Sequence, residues 1–261
     1  MHYSFLPFSR LYPDTPSLVL SPLKLAIKYQ ADVLRNRIVA HTCEDCPTTL
    51  EDWDEVAYSE SSPAKSDPSD ETSEPLDYST KDFLPDPISF MALARECNLP
   101  AVFATLLYSL CRYSTARKEK LSRMTKEDLE TLFLGKDRMI RWISGPAADI
   151  LEIQSWISED YYNSINCNDR ACHPPLFKTW SNLLEDVMSN GDPLATFREA
   201  VLKYRKNDFV NDSYRSEIRD EICCWCEDRL ANKLDDLRHD LFDQLPSFFP
   251  LLEINPEATQ D

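Results

Sequence analysis

Glycine is nearly missing from this chain: Gly135, Gly145 and Gly191 are the only three among 261 residues, far below ordinary usage. A phosphate-cradling loop, a dinucleotide-binding turn and a nucleophile elbow each need glycines at fixed offsets, and none can be written with these three. Histidine is also scarce. His2, His41, His173 and His239 are dispersed, so neither a Ser-His-Asp order nor an HExxH helix exists. Basic side chains are outnumbered 28 to 45, which leaves a formal charge of -17. Most of such a surface repels phosphate backbones and anionic lipid, so nucleic acid and membrane are not expected as partners. Long apolar runs are missing too. The opening Met1 to Pro7 has no basic segment and is interrupted by proline, which predicts neither a secretory signal nor a spanning helix. The nine cysteines are then expected in a reducing interior, cytoplasm or nucleus, as thiols or metal ligands.

What is present is helical pattern. A hydrophobic content of 43% with 11% aromatics allows a sizeable core. From Ser213 to Pro250, Ile222, Cys226, Leu230, Leu234, Leu237, Leu241 and Leu245 recur at three- or four-residue spacing, one stripe along a long helix that predicts a cover of other helices. That helix is expected to stop at Pro246, with Phe248 and Phe249 as an apolar plug, and to carry Cys223-x-x-Cys226 mid-helix.

Upstream, residues 1–20 show no period and are expected to be loosely ordered. Ser21 and Pro22 suggest a helix start, and Val33, Leu34 and Ile38 a second helix ending near His41. Thr48 with Glu51 suggests a capping box for a third, leaving Cys43-x-x-Cys46 in a loop. Residues 58–85 differ: from Ser59 to Asp86 there are eight acidic side chains against two lysines, with seven serines and four prolines. Such a segment cannot bury enough apolar surface to offset its ordering entropy, and it predicts a disordered linker. Ser62 before Pro63 and the acid-flanked Ser69 are candidate phosphorylation positions, against a plain solvated spacer.

Helices resume at Asp86-Pro87 with Phe90, Leu93, Ala94 and Cys97 inward. After Asn98-Leu99-Pro100, Val102, Phe103, Leu106, Leu107, Leu110 and Cys111 form the second arm of an αα-hairpin. Thr125 with Asp128 caps the next helix, expected to close at Gly135. Further helices are expected over Met139 to Trp156, from Pro175 to Met188, and after Asp192-Pro193. Strand-type alternation is scarce, so the expected class is all-α: antiparallel helix pairs packed on the long C-terminal helix.

Two stretches resemble a known family. Leu25 to Asp54, with Tyr29, Gln30, Leu34, Arg35, Pro47, Thr48, Leu50, Glu51 and Trp53, resembles the closing helices of BTB/POZ domains in a large basidiomycete fungal family. Ala92 to Glu96 with the Leu99-Pro100 break, Lys126 to Leu129 with Leu134 to Arg138, and the Cys-x-x-Cys helix ending at Leu245 to Phe249 resemble its helical extension. The likeness covers roughly residues 21–57, read as what remains of the BTB/POZ closing helices, and a helical domain at 86–252; residues 253–261 are expected to be a disordered tail. In the family a β-rich core of about a hundred residues precedes the first stretch, whereas here about twenty do. The expectation is therefore a member lacking most of that core, whether a shortened relative or a gene-model artefact. Family membership implies protein-protein interaction, with dimerisation and cullin contact depending on the missing part.

The resemblance also implies two cysteine pairs. Cys167-x4-Cys172 and Cys223-x-x-Cys226 supply four thiolates that could close a tetrahedral structural zinc site and tie a loop to the long helix. The alternatives are plainly buried cysteines, with Cys224 as a competing ligand, or a thiol-disulfide oxidoreductase using Cys223 and Cys226. Against the last stand a mid-helix position and the neighbours Asp220, Glu221, Glu227 and Asp228, since negative charge raises a thiol pKa. The expected function is a non-enzymatic interaction module with no catalytic residues, its acidic shell favouring basic proteins. A degenerate family remnant is the remaining reading.

Overall fold

The structure is a computed structural model that describes residues 14–61, 86–112, 121–145, 172–205 and 222–251. Among these the chain is all-α, with nine helices and no strand. In chain order they are α1 (Thr15–Lys28), α2 (Asp32–Asp45), α3 (Leu50–Ser61), α4 (Pro87–Cys97), α5 (Pro100–Arg112), α6 (Lys126–Ser144), α7 (His173–Asn190), α8 (Pro193–Arg205) and α9 (Cys224–Phe248). Two compact units result. One comprises residues 1–110, 117–132 and 245–261, the other 111–116 and 133–244. The candidate phosphorylation positions Ser62 and Ser69, most of the acidic linker, and the expected apolar positions Ile150 to Trp156 lie outside the described residues.

In the first unit α1 packs against α2 and α4. It begins at Thr15 rather than after Ser21, with Pro16 in its first turn and Pro22 inside it. An interior proline removes one backbone bond, but Val19, Leu23 and Ala26 form an unbroken buried face across it, and that burial keeps the helix continuous. Helix α2 runs on to Asp45, so Cys43 lies in its last turn and not in a loop. Cys46 is extended, with φ -120° and ψ 131°, because the residue before a proline is driven out of the helical region. The cap of α3 is Thr49, whose hydroxyl accepts from the Asp52 amide at 3.1 Å, not Thr48.

The α4–α5 hairpin follows its sequence pattern. Asp86 accepts from the Ser89 amide at 3.2 Å, and Asn98 turns the chain at φ 54° while its amide bonds back to α4. Phe90, Leu93, Ala94, Cys97, Val102, Phe103, Leu106 and Leu107 are buried, and Trp53 meets Tyr108 edge-on at 5.2 Å. Thr42, Thr105, Ser109 and Thr131 are buried polar groups whose hydroxyls each donate to a carbonyl one turn back, which removes the cost of hiding them. Arg95 of α4 pairs with buried Asp128 of α6 and lies 4.9 Å from the Phe103 ring.

Thr125 caps α6 as expected, accepting from the Asp128 amide at 3.1 Å. The helix does not close at Gly135 but continues to Ser144. Gly135 is buried and sits in register with buried Leu132, Met139 and Ile143, so a cost of about 1 kcal/mol for a helical glycine is outweighed by the face it continues.

In the second unit α7 and α8 pack together, joined through Gly191 in the left-handed conformation at φ 71° and capped by Asp192, which accepts from the Ala195 amide at 3.2 Å. Arg112 also pairs with Asp192. Trp180, Leu194 and Phe197 are almost wholly buried. Helix α9 buries Cys226, Leu230, Leu234, Leu237, Leu241 and Leu245, the stripe read from sequence. Its ends differ from expectation. It starts at Cys224, and it passes through Pro246 to Phe248, since a proline one turn from the end deletes a single bond. Arg238 is buried, its Nε donating to the Leu194 carbonyl at 3.1 Å, and Asp235 pairs with Arg205 at 3.1 Å. No described helix is long and apolar enough to cross a membrane.

Arg95→Ala should lower the urea-unfolding free energy by about 3 kcal/mol by leaving the Asp128 charge buried alone, and Arg95→Met/Asp128→Leu should recover most of it. A loss below about 1 kcal/mol for the single variant would show that the pair is solvated.

Candidate metal centre

Three cysteines meet where two helices begin. Cys172 occupies the cap position of α7, with prolines in the following turn. Cys223 immediately precedes α9, and its carbonyl accepts the Glu227 amide at 3.0 Å, the first turn of that helix. Cys226 is the third residue of α9. The sulfurs of Cys172, Cys223 and Cys226 all lie within 4.8 Å of one another. The Cys223 amide also donates to Cys172 Sγ at 3.3 Å.

Three sulfurs this close could hold a soft metal ion. Helix N-termini carry positive partial charge and stabilise a thiolate placed there. An amide donor to sulfur holds the ligand in orientation and spreads its charge. A tetrahedral zinc with Zn–S near 2.3 Å requires sulfurs about 3.8 Å apart, a spacing close to that of the cluster. Cys172 and Cys226 are buried and Cys223 is half-buried, so the cluster is largely shielded from solvent.

Of the four ligands expected from sequence, Cys172, Cys223 and Cys226 come together, and Cys167 lies outside the described residues. The mid-helix position expected for Cys223-x-x-Cys226 is corrected: the pair opens α9. Sequence periodicity missed this because Ile222 is in phase with the stripe although it precedes the helix.

The other described cysteines behave differently. Burial pushes the Cys46 thiol well above its usual value, with Asp45 and Cys43 adding to it, and Cys43 is raised by burial and by Glu44. Burial takes Cys97 up to about 11, opposed by Arg35, and Cys111 up to about 12, opposed by Lys136. These four are protonated at neutral pH and poor ligands or nucleophiles. His239 is exposed, its Nδ1 2.9 Å from the Asp235 carbonyl. Comparison with family models, curated proteins and solved structures returns no match.

The raised thiols carry a pH dependence. An unfolded cysteine loses its proton near pH 9, whereas folded Cys111 holds it to about 12, so this stabilisation is complete below the unfolded value and is lost as pH rises through the folded one. In reducing buffer the urea midpoint should fall from about pH 8 to about pH 10.5, and Cys111→Ala, less stable at neutrality, should fall by less over the same interval. Identical slopes would remove Cys111 as a contributor.

Proposed function

We propose that the chain is a non-enzymatic, helical protein-interaction module of the BTB/POZ-associated kind, whose second unit is stapled by a structural zinc held by Cys172, Cys223 and Cys226, with Cys167 as fourth ligand. One observation carries this reading: three sulfurs from two helices, 51 residues apart in sequence at Cys172 and Cys223, share one small volume. Thiol-disulfide exchange needs two sulfurs, whereas a third that accepts a backbone amide suits a closed structural site. Closing a loop of about 50 residues by a cross-link stabilises by about 4 kcal/mol on loop-entropy grounds. The product of such a staple is a rigid helical surface, and the acidic shell and the resemblance of residues 21–57 and 86–252 make proteins its ligands.

A second reading, the thiol oxidoreductase, gains from the placement of Cys223 and Cys226 at a helix N-terminus, where a thiol is activated. Insulin reduction separates the two: turnover comparable to a thioredoxin, abolished by Cys226→Ser, would establish the enzyme and sink the module.

Protein purified under reducing conditions should carry about one zinc per chain. Cys172→Ser, Cys226→Ser and Cys167→Ser should each reduce it below about a tenth of an equivalent, with Cys43→Ser unchanged, and chelation should lower thermal stability. Zinc below that level in the unaltered protein would defeat the staple. Affinity purification of the whole chain, with the cullin scaffold assayed directly, tests the module; recovery of no stoichiometric protein would defeat it.

A further inference from the structure

We propose that the exposed flank of α1 is a docking surface for an acidic amphipathic helix. This rests on reading the chain as an interaction module, and it names the partner chemistry.

Five of the ten large apolar side chains that stand exposed among the described residues fall between Leu18 and Val33: Leu18, Leu25, Ile27, Tyr29 and Val33. Single exposed apolar residues are ordinary. These are not single. Leu18, Pro22, Leu25 and Tyr29 are spaced by four, three and four residues, which lines them into one ridge about 16 Å long beside the buried face of Val19, Leu23 and Ala26. Leu25 is 55% exposed, Tyr29 70% and Val33 72%. Spacing of this kind is the seam by which one helix receives another.

Charge selects the occupant. Lys24 and Lys28 flank the ridge, and no acid stands between Leu18 and Ala31, on a chain whose total is -17. Lys24 pairs with exposed Glu96 at 3.3 Å, and Lys28 lies 5.6 Å from the Tyr29 ring. A second copy of this chain would set lysines against lysines along the seam, a repulsive arrangement. A helix with glutamate or aspartate beside its own apolar seam complements the rim instead. At physiological salt, screening over about 8 Å makes the charges nearest the ridge decide, Lys28 foremost, since Glu96 already engages Lys24.

The test uses the whole chain and two fluorescein-labelled synthetic helices of about 20 residues with the same leucine seam, one flanked by glutamate and one by lysine, read by fluorescence anisotropy. Net charge alone favours the lysine peptide; the surface proposed here favours the glutamate peptide by tenfold or more. Leu25→Glu and Lys28→Glu should each weaken glutamate-peptide binding at least tenfold with the far-UV circular dichroism unchanged; if Leu25→Glu alters the fold, Tyr29→Ala replaces it. Preference for the lysine peptide, binding of neither, or insensitivity to these substitutions overturns the proposal. So does concentration-dependent self-association in sedimentation that Leu25→Glu removes, which would make a second copy the occupant. Proteins captured by the chain whose binding ignores Leu25→Glu would sink this surface while leaving the module standing.

Discussion

Among the described residues, helices pack through the burial of their apolar stripes, and α9, the longest of them, carries one that runs from Cys226 to Leu245. Leu230, Leu234, Leu237 and Leu241 are each 5% exposed or less, worth about 1.5 to 3 kcal/mol apiece. Burial alone has no direction, so two such helices could slide or rotate at little cost. Polar bonds at the edge of the stripe remove that freedom. Arg238 reaches the Leu194 carbonyl near the start of α8, and Arg205 at its end reaches Asn232 and Asp235. As α8 advances, its partners on α9 recede, so the two run in opposite senses. The buried guanidinium at Arg238 fixes a register that leucines could not.

Much of this arrangement was legible in residue order. Caps at Asp86, Thr125 and Asp192, the stop at Gly191 and the hairpin turn at Asn98 all follow from local chemistry that acts over three or four residues. The elements misjudged were those where distant burial overrides a local signal. Pro22, Gly135 and Pro246 each argue for a helix end, and each lies inside a helix because the buried face continues past it. Thr48 and Thr49 are chemically equivalent as caps, and only the placement of buried Leu50 and Trp53 decides which serves. The α9 stripe extends in phase to Ile222, so periodicity could not reveal that the helix begins at Cys224.

That boundary decides the chemistry of the thiols. Cys43-x-x-Cys46 and Cys223-x-x-Cys226 have the same spacing, and nothing in the spacing separates them. Their positions on their helices do. Cys43 and Cys46 close α2, where burial first, and then the negative charge of Glu44 beside Cys43 and of Asp45 beside Cys46, drives their thiols up and keeps them protonated. Cys223 and Cys226 open α9, at the pole that favours an anion, and a third sulfur arrives there from the opening of α7. One motif at opposite poles of a helix is thus a pair of protonated thiols in one case and part of a three-sulfur cluster that could hold a metal in the other. The consequence reaches beyond this chain's cysteines: a dithiol motif carries chemical meaning only once the sense of the helix beneath it is known.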